Sequence, residues 1–221
     1  MRESGKIGII DYGVGNLYSL IRAFKYFNVE TCVVDNSNSL GDFCGLVLPG
    51  VGSFESGIRG IKKRNLLKGI KDFANFDKPI LGICLGAQLM LSQGHEFGVF
   101  DGLDLIKGNV LRFSNLQNNE KIPHVGWNKV YSNSENLWQN TVLDSVEENS
   151  NLYFVHSYFL QPDDKNNILS LSNYGGFEFC SAVKKGNIYG CQFHPEKSGK
   201  IGLLIIKNFI KIVNDYEKNF R

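Results

Sequence analysis

The stretch Ile80-Leu81-Gly82-Ile83-Cys84-Leu85-Gly86-Ala87-Gln88 decides how the rest of this 221-residue chain is read. Apolar or small residues lead up to Cys84, one glycine stands two positions before it and another two after it, and an amphipathic run begins at once. This pattern predicts a strand, a sharp turn at Cys84 and a helix over residues 86 to 92. A nucleophile on such a turn is held in strained φ/ψ, and flanking side chains larger than hydrogen would collide with the adjoining strand and helix. The helix would aim its unpaired N–H groups and positive dipole end at the sulfur, favouring thiolate over thiol. A buried structural cysteine satisfies the same five residues equally well, so the rest of the chain has to decide.

Towards the N-terminus, a strand over residues 44 to 48 runs into Pro49-Gly50-Val51-Gly52-Ser53-Phe54, a loop whose proline and two glycines leave N–H groups free to face a ligand. Elbow enzymes draw their second oxyanion donor from a loop of this kind. Towards the C-terminus, the apolar run from Ile188 delivers His194 and, two residues on, Glu196, with Pro195 fixing the backbone between them. Residues two apart in extended backbone face the same side, so imidazole and carboxylate can be neighbours. Of the four histidines, at 95, 124, 156 and 194, only His194 combines a preceding apolar strand with such a carboxylate. A thiolate needs a base and the base needs an orienting group, which makes Cys84, His194 and Glu196 a candidate triad.

The remaining chain frames these motifs. A strand over residues 6 to 11, a glycine-bearing turn, a helix with Leu17, Leu20, Ile21 and Phe24 on one face, and a strand over 29 to 34 form a βαβ beginning. The glycines at 13 and 15 lack the third member of a dinucleotide fingerprint, and a strand-to-helix turn accounts for them. One helix is expected over about residues 55 to 74. From about 95 to 185 the pattern changes to short strands, at 110 to 113, 152 to 159, 168 to 171 and 179 to 183, which predicts an antiparallel extension of a mostly parallel sheet. Residues 132 to 150 are the most polar and least periodic and read as a surface excursion. A last helix with Ile205, Phe209, Ile212, Val213 and Tyr216 on one stripe closes the core. The expectation is an α/β fold in a single domain, 1–221.

Composition narrows the function classes. Hydrophobic residues make up 43% and charged residues 21%, and 24 basic against 22 acidic side chains leave +2 with no long run of one sign, so neither nucleic acid nor a membrane is expected as a partner. No apolar stretch reaches the roughly 18 residues of a membrane span, and the first residues lack the apolar core of a signal peptide, so a cytoplasmic location is expected. Five cysteines without paired CxxC spacing suggest neither a disulfide framework nor a zinc site; no metal or cofactor is expected.

The segments LeuProGlyValGly, GlyIleCysLeuGly and GlnPheHisProGlu together resemble class I, triad-type glutamine amidotransferase domains. Within them, residues 9–17, 122–128, 153–158 and 194–199 resemble the glutaminase subunits of imidazole glycerol phosphate synthase, and the likeness covers nearly the whole chain. The resemblance implies a flavodoxin-like three-layer sandwich and hydrolysis of L-glutamine to glutamate and ammonia. It implies Cys84 as nucleophile, His194 as proton shuttle, Glu196 as its orienter, and backbone N–H groups near Gly52 and Leu85 as oxyanion donors. Gln88 and Glu96 would hold the amino-acid end of the substrate, with backbone of Ser157 and Tyr158 closing the pocket. The implied partner is a (βα)8-barrel cyclase that consumes the ammonia in histidine biosynthesis, docked near Asn16, Pro123, Trp127, Asn128 and Lys197. Family members usually carry Ala where Ser53 stands and Met where Ala87 stands. Paralogues that supply ammonia for sugar amidation in glycan or polysaccharide synthesis are an alternative, as is a thiol hydrolase acting alone, such as a γ-glutamyl hydrolase.

Overall fold

The computed structural model describes residues 6–37, 40–114, 116, 117, 120–132, 134 and 137–220. The parallel half of the fold begins with β1 (Ile7–Ile10), α1 (Leu17–Lys25), β2 (Thr31–Val34), β3 (Gly45–Leu48), α2 (Phe54–Lys63), α3 (Leu66–Asn75), β4 (Ile80–Ile83) and α4 (Leu85–Leu89). It continues with β5 (Leu91–Gly94), β6 (Phe100–Asp101), β7 (Ile106–Arg112), β8 (His124–Val130), β9 (Ser150–His156) and β10 (Tyr158–Pro162). Last come β11 (Ile168–Tyr174), β12 (Phe177–Lys185), β13 (Ile188–Cys191) and α5 (Gly199–Phe220).

The main sheet of the described residues runs β2-β1-β3-β4-β13-β12-β10-β7-β5-β6, with β11 also on β12; β8 and β9 form a separate ribbon. Pairing is parallel from β2 through β13 and turns antiparallel at β12, the extension expected from the change in sequence pattern. Strands β1, β3, β4 and β13 are buried along their whole length, as strands covered on both faces must be. Alternate residues serve opposite faces: Ile7, Ile9, Val47, Leu81 and Ile83 pack with Leu20 and Phe24 of α1 and Phe209 and Val213 of α5. Ile10, Leu46, Leu48 and Ile80 pack with Ile58 and Ile61 of α2 and Ile70 and Phe73 of α3. Two apolar layers on one sheet make a three-layer α/β/α sandwich.

Several local expectations are corrected. The helix expected over 55 to 74 is two, broken where Asn65 takes a left-handed conformation (φ 56°), which asparagine tolerates better than most residues. The elbow helix ends at Leu89 rather than 92, because Leu91–Gly94 pairs with β7. The run 152 to 159 divides at Ser157 into β9 and β10, which belong to different sheets. The 132 to 150 segment, whose residues 133, 135 and 136 lie outside the described residues, is no mere surface excursion. Trp138, Val142, Leu143 and Val146 are buried in the core, and the Trp138 indole donates to Leu169 O at 2.7 Å. Its backbone is tied to α5 by Asn208, which donates to Val142 O and Asp144 O. Among the described residues no helix is long and apolar enough to cross a membrane.

Candidate active site

The elbow has the geometry its spacing predicts. Cys84 leaves β4 with φ 51° and ψ −107°, a conformation rare for any residue but glycine, and α4 starts at the next residue. Its N–H donates to Cys191 O at 2.7 Å and its carbonyl accepts from Gln88 N at 3.1 Å, so the turn is tied to both strand and helix. The two glycines are required sterically: a Cβ on Gly86 would lie 1.7 Å from Leu48 O, and one on Gly82 2.8 Å from the Ala87 backbone.

β13 lies parallel beside β4, with Cys191 opposite Ile83, so the two strands deliver Cys84 and His194 from the same end of the sheet. A crevice beyond the carboxyl ends of parallel strands is where open α/β sheets place their ligands. His194 is locked by its backbone: its N–H donates to Tyr153 O at 2.9 Å, and its carbonyl accepts from the Ser198 hydroxyl at 2.7 Å. Its Nδ1 lies 2.8 Å from Glu196 Oε1, and both side chains are buried. A carboxylate only accepts, so Nδ1 carries a hydrogen in either protonation state, and Nε2 presents a lone pair when the ring is neutral. Among the described residues neither Nε2 nor Glu196 Oε2 has a hydrogen-bond partner. Burial pulls the imidazole pKa down, but the neighbouring Cys84 sulfur and the Glu196 carboxylate outweigh it, and His194 is pushed up to about 9. The sulfur stands near enough for that influence yet outside hydrogen-bond geometry with Nε2; its thiol is turned to Val155 O at 3.7 Å.

A cavity of about 400 Å³ opens onto the sulfur and is lined by Gly52, Leu85, Gln88, Glu96, Ser157 and Tyr158, with Val51, Pro123, Val155, His156 and Lys197 at its walls. All six sequence-predicted oxyanion and substrate residues therefore meet at Cys84, although several are already engaged. The Leu85 N–H donates to Gly50 O at 3.3 Å, so this oxyanion position is filled by the protein's own carbonyl. Pro49 O in turn accepts from the buried Tyr12 hydroxyl. Glu96 Oε2 accepts from Phe54 N, the first helical residue of α2, at 2.7 Å, so the carboxylate also serves a helix end. The Gln88 amide donates to Tyr158 O at 3.0 Å and to Gln192 Oε1 at 3.1 Å. Ser53 is explained locally: its hydroxyl caps α2 by accepting from Ser56 N.

Of the expected docking residues, Pro123 and Lys197 line the cavity. Asn16, Pro123, Trp127 and Lys197 are exposed, and Trp127, 58% exposed, sets its ring edge-on to Tyr153 while Lys197 Nζ lies 5.8 Å from the same ring. Asn128 differs, since its amide is half-buried and donates to Asn173 O at 2.8 Å.

Other residues were not singled out by sequence reasoning. His124 and His156 pair across the β8–β9 ribbon with Nδ1 of the first 3.0 Å from Nε2 of the second. His156 Nδ1 faces Tyr158 O at 2.8 Å, so it is the donor, and the tautomers of both rings follow from that carbonyl. Burial holds both well below the usual histidine range, His124 at about 4 and His156 at about 3, so both are neutral props of the 156–158 segment. Gln192, fully buried, lies between Gln88 and the sulfur. Pattern within β9 places His156 on the buried face; no local signal announces its partner.

Comparison with known proteins agrees with this geometry. The glutamine amidotransferase class-I family matches residues 8–212. The chain belongs to that family. The amidotransferase is 46% identical over 210 residues to imidazole glycerol phosphate synthase subunit HisH 1 of Legionella pneumophila, covering 93% of this chain and 99% of that one. It is 43% identical over 209 residues to the HisH subunit of Archaeoglobus fulgidus, covering 94% and 98%. Among solved structures, a chain of PurLQS from Thermotoga maritima shares this fold with a TM-score of 0.72 at 18% identity, covering 94% of this chain and 98% of that one.

Proposed function

We infer that this amidotransferase is the glutaminase subunit of an imidazole glycerol phosphate synthase in histidine biosynthesis, acting as one domain beside a barrel-shaped cyclase that takes up the ammonia. The carrying observation is the buried His194–Glu196 pair brought beside an elbow cysteine at the floor of one cavity. Likeness to the HisH subunits over their whole length supports the choice of ammonia acceptor.

In this reading the proton of Cys84 passes to His194 Nε2, and the thiolate of the resulting thiolate–imidazolium pair attacks the side-chain amide carbon of glutamine. Glu196 holds the imidazolium through Nδ1. The C–N bond breaks as His194 returns the proton to the leaving nitrogen, releasing ammonia and a γ-glutamyl thioester. Water, deprotonated by the same imidazole, then frees glutamate and the thiol. The tetrahedral oxyanion is received by the N–H groups of Leu85 and Gly52, which requires the Gly50 carbonyl to release Leu85. Gln88 and Glu96 receive the α-amino-acid end.

With the cyclase present, Cys84→Ala abolishes glutamine-driven turnover by about 10⁴-fold or more, while turnover with ammonium salts persists. Loss of both would overturn the division of labour. Deletion of the coding sequence produces a histidine requirement; growth without histidine would instead favour the sugar-amidating relatives.

A further inference from the structure

One buried amide in the site has a polarity that its neighbours dictate. Tyr158 O is a backbone carbonyl and can only accept, so the end of the Gln88 carboxamide facing it at 3.0 Å is the NH2. The same NH2 lies 3.1 Å from Gln192, which must therefore present its oxygen there. The NH2 of Gln192 is left pointing the other way, and what it meets is Cys84 Sγ, at 3.8 Å. Gln192 is fully buried, on the segment joining β13 to His194, and its backbone N–H donates to Ser181 O at 2.9 Å. Neither water nor a loose backbone therefore competes for its orientation. A fixed, buried N–H donor aimed at sulfur gains strength when that sulfur becomes an anion.

We propose that Gln192 is a further catalytic residue, which stabilises the Cys84 thiolate through a carboxamide N–H that Gln88 holds facing the sulfur. This rests on the reading of Cys84 as nucleophile. His194 takes the proton; Gln192 receives the charge left behind. Gln88 thus acts on the nucleophile as well as on the substrate, because removing its NH2 would free the Gln192 amide to turn its oxygen toward the sulfur.

The test is the pH dependence of Cys84 alkylation by iodoacetamide in the full chain, followed by mass spectrometry from about pH 5 to about pH 10. Gln192→Met removes the donor at similar volume, and Gln192→Glu replaces it with an acceptor. The expected result is an upward shift of the alkylation midpoint by about one pH unit in Gln192→Met and more in Gln192→Glu. Glutamine kcat falls about ten- to hundredfold with KM little changed. A merely structural role for Gln192 would alter melting or turnover and leave the midpoint where it was, and that outcome in variants that melt cooperatively overturns the proposal. If the variants do not fold, the wild-type protein decides. The Gln192 side-chain amide resonance must shift with the same midpoint as alkylation, and its failure to move overturns the proposal equally. Independently, glutamine hydrolysis that survives complete alkylation of Cys84 removes the nucleophile reading itself.

Discussion

The charge balance of His194, the proposed proton shuttle, makes a stability prediction. Its pKa is pushed from 6.5 up to about 9 by Cys84 and Glu196 against the opposing effect of burial, so the folded chain binds a proton that the unfolded chain has already shed. The resulting stabilisation is fully present below pH 6.5, declines as pH rises and is gone above about 9. Glu196→Gln keeps an acceptor for Nδ1–H but removes the negative charge, so its stability should decline less across that window. The difference expected is on the order of 2 kcal/mol, read from urea unfolding midpoints at the two ends. An identical pH profile for both proteins would mean that Glu196 does not set the charge of the ring. At this scale the sequence was informative: His194 and Glu196 are local neighbours, and the glycines around Cys84 announce their own turn. Gln192 was not visible, because its meaning depends on Gln88 and Tyr158, brought to it through space.

Elements place these residues, and the most instructive is the 132 to 150 segment. It has no regular period because turns connect its apolar residues, and period is what makes burial readable in a sequence. Trp138 fills the core and satisfies its indole on Leu169 O, so the segment is a plug under α5. Trp138→Ala should therefore cost about 3–5 kcal/mol of unfolding free energy while leaving glutaminase kcat per folded molecule unchanged. Urea denaturation alongside active-site titration measures both; a cost under about 1 kcal/mol would return the segment to the surface. Strand β9 fell largely within the run expected at 152 to 159, but β8 and its pairing with β9 were similarly hidden. The alternation of β8 is interrupted by Gly126, exposed Val125 and exposed Trp127, and its pairing joins residues whose register only the folded ribbon displays.

For the whole molecule, the parallel half of the sheet was legible from the β1–α1–β2 beginning, and the antiparallel extension from the shorter, polar-punctuated runs after residue 95. Strand order was not, since the placement of β13 between β4 and β12 is a long-range choice among several apolar strands. The exposed Trp127 packs against Tyr153, over whose ring Lys197 also lies, and is proposed as an anchor for the cyclase. Truncating it to Ala should weaken cyclase binding at least about tenfold in titration calorimetry, as aromatic anchors at interfaces commonly do. Hydrolysis of glutamine by the uncomplexed chain should be unaltered. Unchanged affinity would move the contact to another part of the surface.

The position of β13 also orders events during synthesis. A ribosome that has made residues 1 to 187 has passed Cys84, but the slot beside β4 is empty and His194 has not been translated. Nascent and prematurely terminated chains thus carry a cysteine without its histidine, and an unfilled strand edge that invites association with other chains. Competence to consume cellular glutamine waits for residues 188 to 194, when one late strand seals the seam and brings in the proposed proton acceptor together.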